Sequence, residues 1–482
     1  MKLHTFVAIT VVTLAAALAE SGRLVAQDGA AQRGKAMHHH YKLIEIGTFG
    51  GPNSTMQQPG TPPSVPFVRI LNRAGAEIGT GDTSSLDPFC YLGGSPCHVG
   101  YVFRWQDGVL SNLGVLLQNP TAGPQMPCLD CTWSTFAFDI ADNGLVAGEY
   151  EDNALDPLTG APTSLAVLWK DGKIFNLGTL GGNESAAAAV NRRGEVVGAA
   201  LTSTPDPYPG QCPWDCAFFI YGNGTEAHAF LWRDGTMQDL GTLGGPDSGA
   251  FFVNNEGEVA GVSDVDLNVN PRTGGLTIHP FLWKNGEMHD LIADAPSGMF
   301  GGTYGIVSGL NEHGQVTGTM NLAGETAWHS FFWEATAIRD LGTLGGSNTT
   351  AIGLNSAGHV VGKSDVTLIC TACPAGSQLQ LHHPFLWKDG ALTDLGLLYA
   401  DTAGTAYNIN AKDQAVGVTV PCVTVNPDDS CDGPIYHSFL WENDSIVDLQ
   451  TLVLPGSGIT LNCPSSGWRM CLRPDMLYLV VS

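Results

Sequence analysis

A histidine and an aspartate recur at one fixed separation in this chain, as His228 and Asp239, His279 and Asp290, His329 and Asp340, His383 and Asp394, and His437 and Asp448. An imidazole beside a carboxylate is the arrangement that moves protons, activates nucleophiles and orients metal ligands. Two further occurrences of the same segment argue for a structural use. Where the histidine gives way to Tyr101 and Leu165, the aspartate becomes Asn112 and Asn176. A buried carboxylate needs a charged or donating partner, whereas an amide survives without one. The joint change marks a structural His–Asp pair inside a hairpin, and no residue is assigned to catalysis.

Cysteine offers a second chemistry. Six neighbouring pairs occur: Cys90 with Cys97, Cys128 with Cys131, Cys212 with Cys216, Cys370 with Cys373, Cys422 with Cys431, and Cys463 with Cys471. Cys128-x-x-Cys131 and Cys370-x-x-Cys373 have zinc-ligand spacing, but they lie several repeats apart, too far for one ion in a closed ring. An even set of close pairs in an exported chain reads as disulfides. Asp264 and Asp266 could offer oxygens to calcium from one strand face, although a solvated strand edge is the plainer reading. Segment 358–364 is one residue short of a phosphate-binding loop. No nucleophile elbow, zinc-protease helix or complete calcium loop occurs. No metal or cofactor is assigned, and Glu149, Glu151 and Asp152 form the one acidic cluster outside the repeat pattern.

The elements that would position these residues follow from the repeat. Trp105, Trp169, Trp232, Trp283, Trp333, Trp387 and Trp441 each carry an Asp or Asn seven positions later. A period of about 50 residues signals a repeat array. In the unit 228–264, His228-Ala229-Phe230-Leu231-Trp232 is strand-like and Asp234-Gly235 suits a two-residue type I′ turn. The next strand is expected to run to about Leu243. Pairing across that turn sets His228, Phe230 and Trp232 on one face with Met237 and Asp239, His228 diagonal to Asp239. A third and fourth strand meet at Asn254-x-x-Gly257. The pattern Asn-x-x-Gly-x-x-x-Gly also starts at Asn72, Asn191, Asn311 and Asn355, and reads as turn geometry.

Four strands per unit is the blade of a β-propeller. The expected fold is all-β, a β-propeller of seven four-stranded blades with the Trp series packed between them. The chain opens on an Asn-x-x-Gly hairpin and ends on a Trp hairpin, so N- and C-terminal strands are expected to share one blade and close the ring.

These motifs resemble the HAF-repeat family of extracellular bacterial proteins, named for the His-Ala-Phe seen at His228-Ala229-Phe230. Variants stand at His279-Pro280-Phe281, His329-Ser330-Phe331, His383-Pro384-Phe385 and His437-Ser438-Phe439. Leu-Gly-Thr-Leu-Gly-Gly recurs at 177–182, 240–245 and 341–346, and the resemblance covers about residues 41–450. It implies export and repetition, and brings no activity or ligand.

Residues 1–19 read as a signal peptide, with Lys2 before an apolar run that ends in Ala17-Leu18-Ala19. A flexible tail, 20–40, contains His38-His39-His40; the repeats fill 41–450, and 451–482 is an atypical C-terminal segment. No later run approaches the roughly 18 apolar residues of a membrane span. The net charge of −25 disfavours nucleic acid and anionic lipid as partners. The expectation is an exported monomer, extracellular or periplasmic, acting as a non-enzymatic binding or scaffold propeller for an extracellular polymer or protein. The alternative is a secreted propeller enzyme, a lyase or hydrolase of extracellular polysaccharide. Short turns belong to one face of such a ring. Insertions 84–100, 115–132, 202–225, 266–277, 367–381 and 421–435 belong to the other, with Tyr91, Tyr208 and Trp214 as candidate ligand contacts.

Overall fold

The computed structural model describes residues 47–55, 69–92, 95–114, 135–155, 162–208, 224–269, 275–293, 300–324, 327–369, 380–421, 424–425, 431–432, 435–452 and 463–464. The expected signal peptide 1–19, the segment with His38-His39-His40 and most of 451–482 lie outside the described residues.

The Asp-Gly turns fold as their sequence requires. Asp234 and Asn285 hold positive φ, at 53° and 54°, and the two-residue geometry persists at Ala335-Thr336, with φ of 47° and 77°. Each turn joins two strands in the expected register, Trp232 opposite Met237 and Phe230 opposite Asp239. Preceding each such hairpin is a hairpin of Asn-x-x-Gly type, with Ala141 in place of the Asn in blade 2 and Asp413 in place of the Gly in blade 7, and together they make one antiparallel meander. Blade 4 is typical: Ser248–Val253, Val259–Asp264, Ile278–Lys284 and Glu287–Asp290. Seven such sheets follow in chain order, spanning 50–112, 135–176, 181–239, 248–290, 305–340, 345–394 and 403–448.

From blade 2 to blade 7, first strands of successive blades pack on one another, as Gly181–Val190 does on Ser248–Val253, so they surround the axis and the fourth strands form the rim. Arg69 of blade 1 shows the convergence: it reaches Asp139 of blade 2 at 2.7 Å and the Val190 oxygen of blade 3 at 3.0 Å. The architecture is a seven-bladed β-propeller.

The expected shared blade is not what forms. The opening hairpin pairs onward with Ser95–Gln106 and Val109–Asn112, and the closing Trp hairpin pairs with Ala403–Ile409 and Ala415–Val420. Each blade thus begins with the Asn-x-x-Gly hairpin, so neither terminal hairpin is left over. The fourth strand also stops at Asp239 rather than Leu243. The Leu-Gly-Thr-Leu-Gly-Gly segment is the link between blades, where Asp239 Oδ1 accepts from Gly241 N (2.7 Å) and Thr242 Oγ1 donates to Gly245 O (2.8 Å). These two small turns explain why that segment keeps its sequence.

The phenylalanine of each HAF-type triplet is fully buried: Phe230, Phe281, Phe331, Phe385 and Phe439 all have 0% exposure. At Gly261, Gly318, Gly362 and Gly417, the second glycine of the turn motif or its equivalent, the ring lies close over the backbone. A Cβ on Gly318 would sit 2.0 Å from the Ile306 oxygen and 2.7 Å from the Phe331 ring. The register shift between Val307 and Gly309 brings the first strand that close. That glycine is therefore a close-approach position inside a strand. The turn-geometry reading holds for the first glycine alone, with Gly257 at φ 80° and Gly314 at φ 71°.

The turn asparagines brace the ring. Asn191 Nδ2 donates to the Asn254 oxygen at 2.8 Å, Asn254 to Asn311, Asn311 to Asn355, and Asn355 to Asn410, each one blade onward. Asn72 likewise reaches the Ala141 oxygen at 2.8 Å. Ala141 cannot answer, and blade 2 instead binds its neighbours through Asp139 and through Asn143, which donates to the Arg192 oxygen.

Candidate functional site on the loop face

A meander sends its first-to-second and third-to-fourth turns to one end of the blade, and its remaining connections to the other. The first end carries the asparagine belt and the Asp-Gly turns. The second, the loop face, receives the links and the connections that contain the long insertions. Of the residues expected there, Trp214 lies outside the described residues, and so do both cysteines of three expected disulfides: Cys128 and Cys131, Cys212 and Cys216, and Cys370 and Cys373. Cys422 and Cys471 lie outside them too. The side chains of Tyr91, Glu151, Asp152, Cys90, Cys97, Cys431 and Cys463 do as well.

The histidines begin the third strands and their aspartates end the fourth, so every pair sits at the loop face. His228 Nδ1 lies 2.9 Å from Asp239, and His279, His329 and His383 lie 2.8, 2.7 and 2.8 Å from Asp290, Asp340 and Asp394. Burial opposes charge on His228, but the hydrogen bond and charge of Asp239, with Glu226 and Asp247, prevail and hold its pKa above the ordinary value. Burial likewise opposes the Asp239 carboxylate, and His228 with the Gly241 N–H outweighs it, holding that pKa low. Asn112 and Asn176 keep the same turn, accepting from Gly114 N at 2.7 Å and Gly178 N at 2.8 Å.

Blade 7 departs from this scheme. The expected pair of His437 with Asp448 is replaced: His437 Nδ1 lies 2.8 Å from Asp401, and Asp448 accepts the Tyr399 hydroxyl at 2.5 Å. Asp401 also accepts from Thr419 Oγ1. The physical reason lies in the preceding link, where Leu397-Leu398-Tyr399-Ala400-Asp401 stands in place of Thr-Leu-Gly-Gly-Ser. Tyr399 takes the carboxylate of the fourth strand, and Asp401 supplies another for the imidazole. Sequence reasoning missed both residues, although the break in the link motif was the available signal.

The calcium candidates part ways. Asp264 ends its strand and is buried at 3% exposure, whereas Asp266 accepts from the Asn268 main chain and side chain, each at 2.8 Å. Alternation ceases at Asp264, so the two do not share a strand face. Among the described residues no group of three metal-ligating side chains occurs.

Tyr208 bridges blades 3 and 4, donating its hydroxyl to the Leu267 oxygen at 2.8 Å. Beside it Asp206 and Glu226 have pKa values raised by burial, and Glu226 lies 3.7 Å from His228 Nε2. Further round the face, Trp328 packs edge-on with Tyr304 at 5.6 Å, and Tyr399 projects into solvent at 69% exposure.

No family model and no curated protein sequence matches the chain. Among solved structures it is similar to a puromycin-hydrolysing peptidase of Mycobacterium tuberculosis, at 11% identity and TM-score 0.37, over 87% of this chain and 57% of that one. It is similar to an acylaminoacyl peptidase of Pyrococcus horikoshii at 11% identity and TM-score 0.39, covering 79% of this chain and 51% of that one. The propeller domain of the Trilobed protease from Pyrococcus furiosus gives 13% identity and TM-score 0.27, with 68% and 96% covered. The chain spans just over half the length of the two peptidases. Likeness at this level carries no argument about activity, and the fold rests on the sheets themselves.

Proposed function

We propose that this chain is an exported propeller of HAF-repeat type that binds an extracellular polymer on its loop face and performs no chemistry of its own. One contrast carries the reading. The turn face is cross-braced blade to blade, while the loop face gathers the long insertions and the exposed aromatics Trp328 and Tyr399. Variation confined to one face of a rigid ring is the usual arrangement of a binding scaffold.

Equilibrium binding of the purified protein to neutral, anionic and cationic polysaccharides tests it, with chromatography of the supernatant for released fragments. Binding without product supports the scaffold. Product release that is lost in Glu226→Gln would favour the enzymatic alternative, because among the described residues Glu226, its carboxyl raised by burial, lies 3.7 Å from His228 and is placed to donate a proton. Absence of binding to any polymer would sink both.

A further inference from the structure

We propose that Tyr399, with Asp448 and His437 behind it, is a subsite for a neutral saccharide ring. This rests on the binding reading above and names its ligand class.

Tyr399 occupies the position that three other links give to Gly181, Gly244 and Gly345, all at positive φ. It holds φ 52°, a region a tyrosine adopts only under compulsion from its surroundings. The compulsion is visible. Its hydroxyl is fixed on Asp448, and its ring packs against the His437 imidazole at 4.8 Å with the planes 61° apart. Asp448 is no longer the partner of His437, which has moved to Asp401. Several residues thus differ together from the repeat, and the result is an aromatic ring that is held rigidly yet left in solvent. A glycine would fit that backbone without strain.

The ligand class follows from what the ring lacks. Asp448 accepts from Tyr399 and from Gln450 N, and Asp401 accepts from His437 and Thr419. Both carboxylates are buried and occupied, so they offer little to a cation. An anionic polymer would approach a chain of net charge −25. The phenol is pushed up to about 12 by its bond to Asp448, so the ring stays uncharged in ordinary buffers. A fixed, neutral aromatic surface suits the apolar face of a sugar.

The test titrates the full-length protein with cellohexaose, laminarihexaose and maltohexaose, and in parallel with polygalacturonate and a chitosan hexamer. Wild type is compared with Tyr399→Gly, Tyr399→Phe and the rim control Phe175→Ala. At least one neutral hexamer should bind, weakened by at least about tenfold in Tyr399→Gly, with Tyr399→Phe intermediate and Phe175→Ala unchanged. Tyr399→Gly should melt close to Tyr399→Phe, since both remove the donor to Asp448 and the glycine also relieves a strained backbone. Neutral binding that is indifferent to both Tyr399 variants overturns the subsite and leaves the scaffold reading intact. Preference for the charged probes overturns the ligand class. A large drop in melting temperature in Tyr399→Gly with unchanged binding would make the tyrosine structural. No binding by wild type to any probe removes the subsite and the reading beneath it together.

Discussion

Asn254 donates its side-chain amide to the main-chain oxygen of Asn311 in the next blade, at 3.2 Å, while its own Oδ1 accepts from Glu256 N and Glu258 N at 3.0 Å. One side chain therefore shapes its turn and ties two blades. Aspartate or serine could do the first task, and only an amide of this length does both.

Asn254→Asp keeps the acceptor, removes the donor and places a carboxylate against Glu258, which now receives the amide at 2.6 Å. A loss of about 2 kcal/mol is expected, from an unsatisfied buried group and like-charge repulsion. Urea denaturation monitored by tryptophan fluorescence would measure it. A loss no greater than that of an exposed turn substitution would mean that the inter-blade bond is incidental.

Gly318→Ala is expected to be far worse than Gly286→Ala. The first forces a methyl group into the Ile306 oxygen and the Phe331 ring, whereas the second meets open space and suffers only its φ of 88°. The expected costs are at least about 3 kcal/mol and about 1 kcal/mol. Thr336 already tolerates φ 77° in the equivalent turn, which supports the smaller figure. Equal effects in paired denaturation curves would remove the close-approach account of that glycine.

The fold was legible where the signal was local. Alternation, the Asp-Gly turns and the Trp-to-Asp spacing fix a hairpin and its register, because each depends on a few contiguous residues. The frame of the blade was not legible. A cyclic repeat has no intrinsic first strand, and Leu240 to Leu243 reads as strand until its turns are seen. At the loop face, the His–Asp spacing placed four imidazoles beside their carboxylates correctly. His437 escaped because its partner, Asp401, comes from the preceding link, where no local spacing reports it. Trp328 and Tyr399 escaped for a similar reason: exposure is decided by the neighbouring blade.

Cys90 and Cys97 lie on adjacent strands, next to the Tyr91–Pro96 rung. Peptide mapping without reduction is expected to recover Cys90 linked to Cys97, a short loop stabilising by about 1–3 kcal/mol if unstrained. The same map should recover Cys212 linked to Cys216. Recovery of any of these four as a free thiol, or in a link to a distant segment, would defeat the local pairing.

The His–Asp pairs give the fold a pH dependence whose sign can be worked out. His228 and His329 have raised pKa values in the folded chain: Asp239 overcomes burial at the first, and the bond to Asp340 dominates at the second. Their contribution is complete below the unfolded histidine value of about 6.5 and is lost as pH rises through the folded one. Asp239 and Asp340 are depressed despite burial, by His228 and His329 and by the Gly241 and Gly342 N–H groups. Their contribution is complete above about pH 4 and is lost as pH falls through the folded value. Between roughly pH 4 and 6.5 both are present, so stability from these pairs is greatest there. Asp239 has 45% side-chain exposure, and solvent screening holds each pair to about 1 kcal/mol or less. The double variant His228→Asn/His329→Asn should therefore lie furthest below wild type near pH 5.5. The gap should narrow steadily toward pH 9, by at most about 2 kcal/mol in total. Calorimetric melting across that range, at fixed ionic strength, measures the gap directly. A difference that stays constant with pH would show that these histidines act by packing alone, with no proton held between imidazole and carboxylate.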